Sequence, residues 1–182
     1  MRLLAVLLLA CATLARAAPP PAGGDWRQWG SGELRWFGIA LYRATLWADA
    51  AATELTADAA TRTPLALQLD YRRDIPGERL VAASLDEMRR LGVDEARLRR
   101  WAPALAGVFP DVRAGERIVG VLLPGEGVRF YHQDRLRGEV RDGEFGPRFF
   151  AIWLDPATRH PGLRAALLRL DAAAGRDDGA AR

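Results

Sequence analysis

The chain has 182 residues, 26 of them basic and 23 acidic, for a formal net charge of +3. Every basic residue is arginine, and the arginines are interleaved with acids instead of forming a basic stripe, which argues against nucleic-acid binding. One domain is the expectation at this length, and a domain of this size builds a core without disulfides or metals.

Arg2 precedes an apolar run from Leu3 to Leu14 that closes on Ala15-Arg16-Ala17. A basic start, an apolar stretch too short to span a bilayer and a small-x-small site define a secretory signal peptide over residues 1–17. Together with the alanine-rich, lysine-free composition of a GC-rich bacterial genome, this reads as export to the bacterial periplasm, with no membrane span in the mature chain. Leu8-Leu9-Ala10-Cys11 offers a lipoprotein signal as the alternative, with a lipid anchor on Cys11, but only ten residues precede that cysteine. Cys11 is the one cysteine, so cleavage before Ala18 leaves no thiolate nucleophile or ligand.

Residues 18–25 form a Pro/Ala/Gly tether with nothing to pack, and residues 26–170 the domain. From Glu33 to Trp47 aromatic and apolar residues predict two adjoining strand pieces or one bent strand, with Gly38 marking a bulge or a close approach. Asp49 to Thr63 reads as a loop with a helical turn. Leu65 to Tyr71 alternates as a strand, with Leu65, Leu67, Leu69 and Tyr71 facing the core.

A turn at Asp74-Ile75-Pro76-Gly77 leads to a helix from about Glu78 to Leu91 that Gly92 stops, with Val81, Leu85 and Met88 on its apolar stripe. A neighbouring stripe of Leu80, Ser84, Glu87 and Leu91 mixes apolar and polar groups. It either lines a cavity or forms an ordinary half-solvated shoulder with Glu87 pairing an arginine. Asp94 caps the next helix, which Pro103 is expected to kink or end before Phe109.

Arg117 to Leu123 is apolar and β-branched enough for a buried strand, Pro124-Gly125-Glu126-Gly127 turns the chain back, and Val128 to His132 alternates. A second turn at Gln133-Asp134-Arg135 brings in Leu136 to Val140. Phe149, Phe150, Ile152 and Trp153 cluster on a short helix that Asp155-Pro156 ends, and Pro161 opens a last helix with Leu163, Leu167 and Leu170 on one face. Residues 171–182 form a disordered tail.

No GxSxG, HExxH, Walker-type loop or GxGxxG occurs. His132 reads as a strand residue and His160 as a helix-start residue, not as a metal pair, so no metal site is expected. Asp74 and Glu78, beside Arg72, Arg73 and Arg79, read as surface ion pairs and helix-start acids.

Four segments in this order, RWFGIALY at Arg35 to Tyr42, YRRDIPGERL at Tyr71 to Leu80, FPDVRAGERIVGVLLPGEGVRFY at Phe109 to Tyr131 and FFAIWLDPATRHPGLRAALL at Phe149 to Leu168, resemble the chalcone isomerase family. The resemblance is greatest to its bacterial exported branch. It implies an α+β fold, an open-faced β-sandwich in which an antiparallel sheet packs against a layer of helices and a ligand cleft lies between them.

Plant members that cyclise chalcones use no cofactor; an arginine with hydroxyl and amide side chains stabilises the attacking phenolate. Carried over, the family's catalytic threonine falls on Phe37, its tyrosine on Leu80 and its asparagine on Glu87, and its arginine has only Arg27 nearby. Phenyl and isobutyl groups donate no hydrogen bonds, and an ionised Glu87 would repel a developing oxyanion. The resemblance therefore implies a cofactor-free, non-catalytic binder of a fatty-acid-like or other lipophilic molecule, in a cleft near Trp36, Phe37, Ile39, Leu80, Ser84 and Glu87. The alternatives are an isomerase of the intramolecular-lyase type, with Arg27, Tyr71 or Glu87 redeployed, and a periplasmic adaptor.

Overall fold

The computed structural model describes residues 20, 21, 23–53, 55 and 63–170. The expected signal peptide at residues 1–17, part of the expected tether, most of the 49–63 loop and the expected tail at 171–182 lie outside the described residues. Within the tether Pro20 is buried, whereas Pro21, Gly23, Gly24 and Asp25 are exposed.

Six strands form one antiparallel sheet in sequence order: β1 (Trp26–Trp36), β2 (Ile39–Asp49), β3 (Leu65–Tyr71), β4 (Arg117–Leu123), β5 (Gly127–His132) and β6 (Arg135–Val140). Two helices, α1 (Gly77–Arg90) and α2 (Glu95–Val108), are inserted between β3 and β4, and α3 (Phe145–Leu154) and α4 (Pro161–Leu168) follow β6. This is the expected open-faced α+β architecture.

The β-strand alternation sorts side chains onto two faces. Leu65, Leu67, Leu69 and Tyr71 of β3 join Ile118, Leu122, Val128 and Phe130 in the main core beneath the helices. The other face carries only a small cluster of Trp47, Ala66, Val119 and Val121. α4 packs on β1 so closely that a Cβ on Gly30 would stand 2.2 Å from the Leu167 carbonyl oxygen.

Three sequence expectations change. The Glu33–Trp47 region is a hairpin: β1 starts at Trp26, and Phe37-Gly38, both with positive φ (47° and 79°), make its two-residue turn. Gly38 is thus a turn residue with open space around it, and the bulges sit elsewhere, at Gln28/Gly30 and Leu34/Arg35. α2 continues through Pro103 to Val108, because the carbonyl that Pro103 leaves unpaired, on Arg99, belongs to the solvent-exposed side and can bond water. Leu170 falls outside α4, whose C-cap Arg169 is left-handed (φ 57°), and is 36% exposed.

Candidate functional site

α1 is tied at both ends and packs sideways on α2 and α3. At its N-terminus the Gly77 N–H donates to Asp111 Oδ1 (2.8 Å), Ile75 and Val112 exchange two backbone hydrogen bonds, and a Cβ on Gly77 would stand 2.6 Å from the Phe109 carbonyl oxygen. Near its C-terminus Glu87 accepts from Arg90 Nε (3.0 Å) and from Arg159 Nη1 (2.5 Å), while Arg90 Nη1 reaches the Ala157 carbonyl (2.8 Å). Its principal helical neighbours are α2 and α3, and only Gly77 and Met88 are fully buried. The space left between α1 and the sheet is a cavity of about 450 Å³.

The inner wall of this cavity is apolar. Leu67, Leu69 and Ile118 come from the sheet, Leu80 from α1, and Ile152 and Trp153 from α3. Phe109, Phe130 and Phe149 close one side as a mutually packed cluster, Phe130 meeting Phe109 and Phe149 edge-on at 5.2 and 5.4 Å between ring centres. Gly120, in mid-strand on β4, lies in the lining; a Cβ there would meet Phe130 Cε1 at 3.4 Å, an ordinary contact, so the missing side chain leaves room and not a clash. The charged lining residues Arg79, Asp86 and Arg159 are exposed and mark the rim.

Two phenols face one another inside. Tyr42 and Tyr71 are direct cross-strand partners on β2 and β3, with rings edge-on at 5.9 Å. Trp153 Nε1 donates to the Tyr42 hydroxyl at 3.0 Å, leaving the phenol proton free to be donated onward. The Tyr71 hydroxyl makes no hydrogen bond among the described residues, although Tyr71 is only 3% exposed and lines the cavity. Burial pushes the Tyr42 phenol up to about 12, opposed by the Trp153 hydrogen bond, and pushes Tyr71 up further. Both are therefore hydrogen-bond donors at neutral pH and poor bases. His160, the N-cap of α4 and also in the lining, is held below its ordinary value chiefly by burial, which keeps it neutral at pH 7.

Of the residues singled out from sequence, Trp36, Leu80, Ser84 and Glu87 line the cavity. Phe37 and Ile39 do not: the hairpin turn carries Phe37 out to 89% exposure and Ile39 to 48%. Arg27 is also elsewhere, bonded to the Ala52 carbonyl and stacked 5.0 Å over the Trp29 ring. Glu87 both lines the cavity and pairs with arginines, so the two readings of its helix stripe hold together. Ser84 Oγ is turned back onto the Leu80 carbonyl (2.8 Å). The sequence reading missed Tyr42, Gly120, Phe130, Trp153 and Arg159 as lining residues; a glycine within an otherwise apolar strand was the available signal for one of them.

An open antiparallel sheet, a helical layer on one face and a cavity between them define a ligand-cleft α+β protein, and the comparisons agree with it. The family model described as Chalcone isomerase-like matches residues 29–169, and the chain belongs to that family. Among solved structures it is similar to the Arabidopsis thaliana fatty-acid binding protein AtFAP1, with a TM-score of 0.63 and 13% identity, over 86% of this chain and 93% of that one. No curated protein sequence matches the chain.

The phenols carry a pH prediction. In the unfolded chain tyrosines ionise near 10, but folded Tyr42 resists until about 12, so the unfolded state releases its proton first. Stability is full below pH 10 and falls as pH rises towards 12; Tyr71 extends the fall. Urea midpoints measured from pH 8 to 11 should decline, and the decline should flatten in Tyr42→Phe/Tyr71→Phe.

Proposed function

We propose that the protein is a non-catalytic carrier of a fatty-acid-like or other lipophilic small molecule, held between α1 and the sheet. The observation that carries this reading is the cavity itself, about 450 Å³ and walled by aliphatic and aromatic side chains, a volume within the range of about 300–1,000 Å³ typical of small-molecule sites. The structural resemblance to a plant fatty-acid binding protein supports it. In this reading Tyr42 and Tyr71 present hydrogen-bond donors to an oxygen of the ligand.

The isomerase alternative draws less support. Leu80 stands in the lining where the family pattern has a hydroxyl, Glu87 is occupied by Arg90 and Arg159, and Arg27 lies outside the cavity. We further propose that residues 1–17 direct export and are removed, so that the secreted protein has the mass of a chain starting at Ala18. A lipidated mass starting at Cys11 would contradict this.

The carrier reading is tested by titrating the purified protein with cis-parinaric acid and following its fluorescence. Saturable uptake at micromolar concentration is expected. Gly120→Val, which fills the cavity from the sheet, and Leu80→Trp, which fills it from α1, should each weaken uptake about tenfold or more while leaving the circular dichroism spectrum unchanged. Absent uptake, or uptake indifferent to both substitutions, contradicts the reading.

A further inference from the structure

Five large apolar side chains are left exposed among the described residues; Leu136 and Leu170 stand singly, and the other three cluster at one place. Phe37 is 89% exposed, Trp36 58% and Ile39 48%, all at the tip of the β1–β2 hairpin, with Trp36 and Phe37 edge-on at 5.3 Å. The tip overhangs the sheet: β2 pairs with β3 only from Tyr42 onward, and the Arg72 N–H bonds the Leu41 carbonyl as the last tie. Beyond that tie the hairpin runs on for roughly 10 Å at the usual rise of a strand.

Phe37 has no reason to be there in the fold. Its φ of 47° is a left-handed conformation that bulky side chains avoid, and its ring buries almost nothing in return. Neither backbone nor core packing accounts for a phenylalanine at this turn.

We propose that the hairpin tip is a docking prong for an anionic lipid bilayer, placing Trp36, Phe37 and Ile39 at the headgroup boundary. Exposed Trp and Phe beside arginines are the composition suited to that boundary, where the rings enter the apolar layer and the guanidinium groups meet phosphates. The arginines are present. Arg72, Arg73 and Arg79 line a surface groove beside the prong, and none is in an ion pair among the described residues. Of the carboxylates in this stretch, Asp74 is turned onto the Ala114 N–H (2.8 Å) and Glu78 stands in the first turn of α1. Arg35 is balanced by Glu33 at 2.9 Å.

Position supplies the second argument. Trp36 belongs to both the prong and the cavity lining, and Leu41, Ile75 and Arg79 are common to the cavity and the arginine groove. A bilayer on the prong therefore lies at the cavity mouth. No helix among the described residues is long and apolar enough to cross a membrane, so this association is with the surface.

The test is sedimentation with phosphatidylcholine vesicles, with and without phosphatidylglycerol. It compares wild type with Phe37→Asn, both prepared from one host with identical N-termini. Asn tolerates positive φ and Asn-Gly is a favoured pair for this turn, so the variant keeps its fold. Wild type should bind vesicles containing phosphatidylglycerol more tightly than pure phosphatidylcholine, and less tightly as salt is raised. Phe37→Asn should bind at least about tenfold more weakly. Three results would overturn the proposal: no vesicle binding by wild type, equal binding by Phe37→Asn, or a wild-type dimer that Phe37→Asn disperses. The last would make a second copy of the chain the occupant of the prong. Empty vesicles serve throughout, so docking is judged apart from cavity uptake, which Phe37→Asn should leave unchanged because Phe37 is outside the lining.

Discussion

Everything of functional interest in this molecule depends on how α1 is held. A helix that packed its apolar stripe directly onto the sheet would leave no interior space, because protein cores fill to the density of organic solids. Here two end ties and lateral packing on α2 and α3 hold it. Gly77 is threaded against the Phe109–Pro110 backbone at one end, and Glu87 and Arg90 are tied to the 157–159 loop at the other. Between them Leu80, Val81 and Leu85 are only partly buried. Of these Leu80 lines the cavity, and the apolar area it leaves open there is what a lipophilic guest would cover, so ligand binding draws on the same hydrophobic burial that the core leaves incomplete.

The chemistry available inside follows from that low-dielectric interior. Burial that drives two phenols strongly towards their neutral forms makes them donors without making them bases, and it keeps His160 uncharged. The charged groups lie at the rim and are largely committed to one another, Glu87 to Arg90 and Arg159, and Asp86 to Arg89 at 2.6 Å. In the proposed carrier role such an arrangement would orient and shelter a guest.

Much of the architecture was legible in the chain because it is local. Alternation identified β3 and β5 with the right inward faces, 3.6-residue periodicity identified α1, and Asp94 does cap α2 by accepting the Arg97 N–H at 3.0 Å. The pairing of Glu87 with arginine was legible too, since carboxylates on half-buried helix shoulders seek cations. Phe37 and Ile39 were misplaced because alignment to a family motif preserves order along the chain but not the handedness of a turn: two positive φ angles sent that segment outward. Arg159 and Trp153 could not be read as cavity residues, because what gathers them, α3 and its loop folding over a helix some seventy residues earlier, leaves no periodic trace. The arginine nearest the expected catalytic register, Arg27, shows the converse error, with proximity in sequence and none in space.

The carrier role requires the cavity to be a binding volume and not a gap that closes around water. A crystal structure of the protein grown with dodecanoic acid tests this most directly. Continuous chain-like density bounded by Leu80, Gly120 and Phe130, with an oxygen within hydrogen-bond distance of the Tyr71 or Tyr42 hydroxyl, is the predicted result. A collapsed interior with α1 seated on β3 and β4, or density confined to the outer surface, would contradict it.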